Sequence, residues 1–241
     1  MRAASKIVLV SVLCCLAHAQ RIHEHGEQVA YEDAHGRKTP LGRGHSAVPL
    51  PDGRILFVQG ARMSYGERLA CTKPEARNRV AVFDPATGKS SVIYDKPLTN
   101  GFVGPDDACI FEHAELSGDK LYVVTPWAAT SNMLAIVNLK TGEKGGVEGV
   151  VDAWVIRGGP SEGDLIYTRR MWDKSPEDGL EYPHYPFIHA KPDGKQIAII
   201  SDETFTVGRT ETAPVLRAYL RRLGGRIYVC GDDYAEGGWI P

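Results

Sequence analysis

Histidine is the residue type best placed for chemistry in this chain, and His45, His113 and His189 are the ones to ask about. His113 and His189 each lie eight residues ahead of an apolar run, at Leu121 and Ile197, inside the same Phe-x-His-Ala pattern; His45 lies ten ahead of Ile55. An imidazole titrates near neutrality and can act as a general acid, a general base or a metal ligand. Together with Tyr185 these are the candidate catalytic residues. The plainer reading is that short polar side chains near a turn hydrogen-bond to backbone. His23, His25 and His35 have no helical i, i+4 register, and RIHEHGE reads as a solvated leader. The acidic pairs Asp106-Asp107, Asp202-Glu203 and Asp232-Asp233 make no cation site, because neighbouring side chains of an extended chain point to opposite sides. Calcium needs six to eight converging oxygens. No metal and no cofactor is therefore expected.

A second group is built for recognition. RRMWDKSPEDGLEYPHYPF, residues 169–187, gathers Arg169, Arg170, Trp172, Tyr182, His184 and Tyr185 in a segment long for a hairpin connection. Flat aromatic faces beside charges suit a sugar ring or an exposed peptide, and loops on a rigid scaffold carry recognition. The competing reading is that Pro183 and Pro186 stiffen a crossover whose aromatics pack inside.

The elements that must position these residues are hairpins. Five apolar runs, ILFV at Ile55, LYVV at Leu121, LIYT at Leu165, IAII at Ile197 and IYVC at Ile227, each follow a polar turn: PDGR, SGDK, SEGD, PDGK and LGGR. A short alternating run precedes every turn, so the unit is strand, turn, strand. After the first and second units come NRVAVFDPATGKSSVIYD and NMLAIVNLKTGEKGGVEG, two more strands about a Thr-Gly turn. Glycine there supplies the positive φ of a tight hairpin. Inner and outer strand pairs make a four-stranded antiparallel unit, and radial repetition of such units is a β-propeller. Successive anchors are 66, 44, 32 and 30 residues apart, against about 40–50 for a four-stranded blade. The short intervals mean either that the later blades have lost strands or that the Leu165 and Ile197 hairpins are the two halves of one blade, the second being preferred. The expectation is an all-β propeller of four to five antiparallel blades, incomplete or closed by an N-terminal strand such as EQVAYED, residues 27–33.

RGHSAVPLPDGRILFVQGA followed by NRVAVFDPATGKSS resembles a kelch-type repeat of the galactose-oxidase-like propellers, well over residues 43–91 and in part over 111–143. The resemblance implies a propeller fold. It implies copper chemistry only if a Tyr–Cys crosslink and copper ligands exist, and Cys71, Cys109 and Cys230 sit in no stretch that matches such a site.

The first nineteen residues have the form of a signal peptide: Arg2 and Lys6, an apolar core from Ile7 to Ala17, and Ala17-His18-Ala19 for cleavage. The expected mature chain runs from Gln20, with a leader to residue 40 and the propeller domain over 41–241. It is expected to be secreted, or periplasmic in a bacterium, monomeric and without a membrane span, since the apolar core is about half of the roughly 20 residues a span needs. Three cysteines remain after cleavage; Cys71–Cys109 is the expected disulfide, with Cys230 in an apolar run. No Asn-x-Ser/Thr acceptor follows the signal. A net charge of −2, from 28 basic and 30 acidic residues, disfavours nucleic acid, and the Arg217, Arg221 and Arg222 cluster reads as a solvated strand face. The function expected is binding of a glycan or an extracellular protein, with a polysaccharide lyase or hydrolase using the channel His/Tyr groups as the alternative.

Overall fold

The computed structural model describes residues 21–62, 77–98, 109–128, 131–157, 161–174, 179–184, 186–201, 219–223, 226–230 and 238–239. Every regular element among them is a β-strand: β1 (Arg21–His25), β2 (Gln28–Glu32), β3 (Lys38–Pro49), β4 (Ile55–Gln59), β5 (Arg79–Asp84), β6 (Lys89–Tyr94), β7 (His113–Ser117), β8 (Lys120–Ala128), β9 (Ser131–Asn138), β10 (Lys144–Val155), β11 (Leu165–Arg169), β12 (Met171–Lys174), β13 (Glu181–His184), β14 (Phe187–Ala190), β15 (Gln196–Ser201), β16 (Tyr219–Leu223), β17 (Arg226–Cys230) and β18 (Gly238–Trp239). All pairings among these described strands are antiparallel. The five hairpins expected from the sequence form as β3–β4, β7–β8, β10–β11, β14–β15 and β16–β17. The two Thr-Gly turns join β5 to β6 and β9 to β10, with Gly88 at φ 67° and Gly142 at φ 77°.

Three meanders of four strands follow one another: β3–β4–β5–β6, β7–β8–β9–β10 and β10–β11–β14–β15. The third settles the short spacing, since the Leu165 and Ile197 hairpins lie in one sheet. Two long strands serve two units each. β3 pairs β2 through residues 38–43 and β4 through 44–49; β10 pairs β9 through 144–150 and β11 through 150–155. The handover in β10 lies at Gly149, whose φ of +74° is a conformation that side chains avoid, and the ladder shifts register there. RIHEHGE, expected to be a solvated leader, is instead β1 with its turn, because His23 reaches Glu32 across the ladder at 2.7 Å. EQVAYED supplies β2, whose two edges are taken by β1 and β3.

The units stack through their faces. β4 reads Ile-Leu-Phe-Val with all four side chains buried, because both sides of its sheet are covered. Ile55 and Phe57 pack with Val29, Tyr31, Leu41, Ala81 and Phe83 on one side. Leu56 and Val58 pack on the other with Ala114, Leu121, Val123 and Met133 of the next unit. That unit repeats the arrangement: Tyr122, Val124, Leu134 and Ile136 face Val155, Leu165, Tyr167 and Ile188 of the third. Each such side chain contributes roughly 1.5–3 kcal/mol by leaving water. Successive antiparallel meanders packed face to face, each begun by its inner strand, make this an all-β fold of propeller type.

Candidate functional site at the inner strands

The first strands of the three units, β3, β7 and β10, bring their polar side chains together. Residues of one β-strand normally alternate between faces, so His113 and Glu115 share a side of β7 while Ala114 enters the core. His45 and Ser46 are adjacent on β3, yet both line the same cavity. Ser46 explains this. Its φ of +53° makes it the one non-glycine residue in the left-handed region among those described, and the β3–β4 register shifts between His45 and Val48.

His45 is 1% exposed, and its Nε2–H donates to the Phe111 carbonyl at 2.9 Å. Burial disfavours the charged ring and lowers its pKa, with the Phe111 bond opposing the shift. Ser46 Oγ is 2.5 Å from Nδ1 of His113. His113 Nε2 lies 3.7 Å from Glu115 Oε1, and Arg157 Nη2 donates to Glu115 Oε2 at 2.8 Å. The Trp154 ring stands 6.1 Å from the His113 ring. Asp152 opens on the cavity but is otherwise enclosed; desolvation raises its carboxyl pKa, opposed by His113 and reinforced by Glu112 and Glu115. The cavity measures about 470 Å³, within the usual range of a small-molecule site. Arg62 and Glu112 complete its polar lining, and Ile110, Phe111, Val124 and Val151 its apolar one. Buried Asn78 braces the wall: its side chain accepts from the Phe111 amide and donates to the Ala61 carbonyl, both at 3.0 Å.

Two of the three histidines singled out in the sequence therefore meet in one cavity. His189 does not. It lies on β14, the third strand of its unit, where Nε2 is 2.9 Å from Asp164 Oδ2, with Lys191 Nζ 3.8 Å from the same oxygen. Tyr185 lies outside the described residues, as do Cys71 and the three acidic pairs. Cys109 is disulfide-bonded and buried, and its expected partner Cys71 lies outside the described residues. Among the described residues no cluster of three or more His, Cys, Asp or Glu could hold a metal, and no helix is long and apolar enough to cross a membrane.

The recognition segment forms a hairpin of its own, β12–β13, inserted between the second and third strands of the third unit. Trp172 is 53% exposed on it, with the Arg170 guanidinium 4.5 Å from the indole centroid, a cation–π contact. The Arg170 amide is tied back to the Gly149 carbonyl at 2.8 Å, and Arg169 ends β11. Tyr182 and His184 are on β13, opposite Asp173 and Met171. Sequence reasoning missed Ser46, Arg62, Glu115, Asp152 and Arg157. Only the His113-x-Glu115 alternation carried a local signal.

No protein-family model and no curated protein matches the chain. Among solved structures it is similar to the β-propeller domain of the Trilobed protease from Pyrococcus furiosus, with TM-score 0.42 and 12% identity over 70% of this chain and 48% of that one. It is similar to the tricorn protease, with TM-score 0.46 and 14% identity over 76% of this chain and 16% of that one. TolB from Acinetobacter baumannii gives TM-score 0.36 and 15% identity over 84% and 56%. The chain thus spans between 16% and 56% of the length of these three. The class of the fold rests on the strand order and the two-sided burial described above.

Proposed function

We propose that this chain is a secreted, monomeric propeller module of kelch-type kinship that binds a glycan or another extracellular protein through the β12–β13 hairpin. The observation that carries the reading is Trp172, more than half exposed and stacked with Arg170 on a hairpin that stands apart from the stacked sheets. Trp and Arg are the anchors that dominate binding surfaces. Arg170 fixes one side of the ring and leaves area for a sugar or a partner side chain.

The test is a screen of immobilised glycans and extracellular proteins followed by Trp172→Ala. The variant is expected to lose about 30-fold or more in affinity, the scale of a truncated anchor, with an unchanged circular dichroism spectrum. Undiminished binding by the variant overturns the reading. The cavity at β3, β7 and β10 favours a second reading, a carbohydrate-active enzyme using His45 and His113 as acid–base groups. Cleavage of an acidic polysaccharide by the purified chain is its test.

A further inference from the structure

We propose that Ser46, His113 and Glu115 form a nucleophilic serine site in the inner cavity, acting on small carboxylic esters. This goes beyond the binding role of the hairpin and requires nothing of it.

Four observations converge. Ser46 Oγ and His113 Nδ1 are within a short hydrogen bond, so nucleophile and base are in contact. Glu115 faces the opposite nitrogen of the same ring at 3.7 Å, 1% exposed and anchored by Arg157. A carboxylate there favours the tautomer with the proton on Nε2 and leaves the Nδ1 lone pair to accept from the Ser46 hydroxyl. Histidine, oriented on one nitrogen by an acid and contacting serine with the other, is the arrangement that activates a hydroxyl. The backbone supplies the third observation. Ser46 holds a left-handed φ that costs a non-glycine residue roughly 1–2 kcal/mol, and strain of this kind collects at functional sites. Here it turns Ser46 into the cavity beside His45, where ordinary strand geometry would point the two apart. Fourth, the cavity has room for a substrate, with Ile110, Phe111, Val124 and Val151 to take an acyl chain and the Arg62 cation beside it. The Ala47 amide, next after the nucleophile, is engaged by a Glu24 carboxylate oxygen. Arg62 is therefore the donor for the oxyanion.

The chemistry balances without any further reagent than water. The Ser46 Oγ–carbonyl carbon bond forms as the hydroxyl proton passes to His113 Nδ1. The carbon–oxygen bond to the leaving alcohol breaks as that proton moves onto the alcohol oxygen. Water then attacks the acyl-serine, its proton going through His113 to Ser46 Oγ, and the free acid departs. Glu115 touches no reacting atom; it is a positioning residue.

The experiment treats the purified full chain with a fluorophosphonate and, separately, with p-nitrophenyl butyrate. A single phosphonyl adduct on the peptide carrying Ser46 is expected. Ester hydrolysis above buffer should fall about 100-fold or more in Ser46→Gly and His113→Gln, the scale of a lost acid–base partner. Glycine suits a positive φ, so Ser46→Gly should unfold no earlier than the parent, which separates loss of the hydroxyl from loss of the fold. Glu115→Gln should lower kcat with KM retained. A folded parent that takes no adduct, or a Ser46→Gly chain that hydrolyses the ester as fast as the parent, overturns the proposal. Ligand capture by the Trp172 hairpin is independent of either result.

Discussion

Phe111-Glu112-His113-Ala114 and Phe187-Ile188-His189-Ala190 look interchangeable as sequence, each leading by the same interval into an apolar strand. In the molecule they occupy different depths of a blade. His113 begins an innermost strand and meets residues from β3 and β10, up to 67 positions away for Ser46. His189 sits on a third strand, where its partner Asp164 immediately precedes the adjacent β11. The difference teaches that, in a fold of repeated hairpins, a local motif reports the hairpin and not its place between axis and rim. Chemistry concentrates where first strands converge, because three units contribute side chains to the same small volume.

The sharpest way to break that comparison is to remove an acid from each site. Glu115→Ala strands the Arg157 guanidinium beside the inner cavity, and breaking a buried pair of this kind costs about 3–5 kcal/mol. Asp164→Asn at the outer histidine should cost about 1 kcal/mol. Urea unfolding of the two variants measures the gap; equal losses would erase the distinction. Next in size is Asn78→Ala, which leaves the Phe111 amide without its acceptor and should cost about 2 kcal/mol by the same measurement.

The smallest expected effect is a pH slope. The folded pKa of His45 is depressed by burial below the ordinary value of 6.5. At pH values between the two, the unfolded chain binds the extra proton, so stability is full above about 6.5 and declines as pH falls through it. Protonation also places a hydrogen on Nδ1, which has no hydrogen-bonding partner among the described residues. Unfolding free energies at pH 7.5 and 5.5 should differ less in His45→Asn than in the parent. An identical slope in both would remove His45 as its source.

Much of the fold was legible because turns are local. Pro-Asp-Gly and Thr-Gly fix where strands reverse, and continuous apolar tetrads such as Ile55–Val58 mark sheets covered on both faces. The spacing left two ways to group the Leu165 and Ile197 hairpins, and the β11–β14 pairing decides for one unit. The inner site was readable only in part. His45 and His113 stand out by type, but the left-handed backbone of Ser46 has no signature in a run such as GHSAVP, since serine gives no sign of such a φ. Arg157 lies 42 residues from Glu115, and pairing across that separation is decided by the fold. His189 misled because Phe-x-His-Ala is blind to strand rank.

Because β10 is the last rung of one meander and the first of the next within a single seven-stranded sheet, reading frame is shared across that joint. Inserting one amino acid near Gly149 would invert the inward and outward sets of everything downstream in the strand, putting Asp152 where Ala153 belongs. An alteration there cannot be absorbed locally, because the same strand pairs β9 before Gly149 and β11 after it. Tolerance to insertions along this chain is thus set joint by joint, by whether two meanders are stitched with one thread or two.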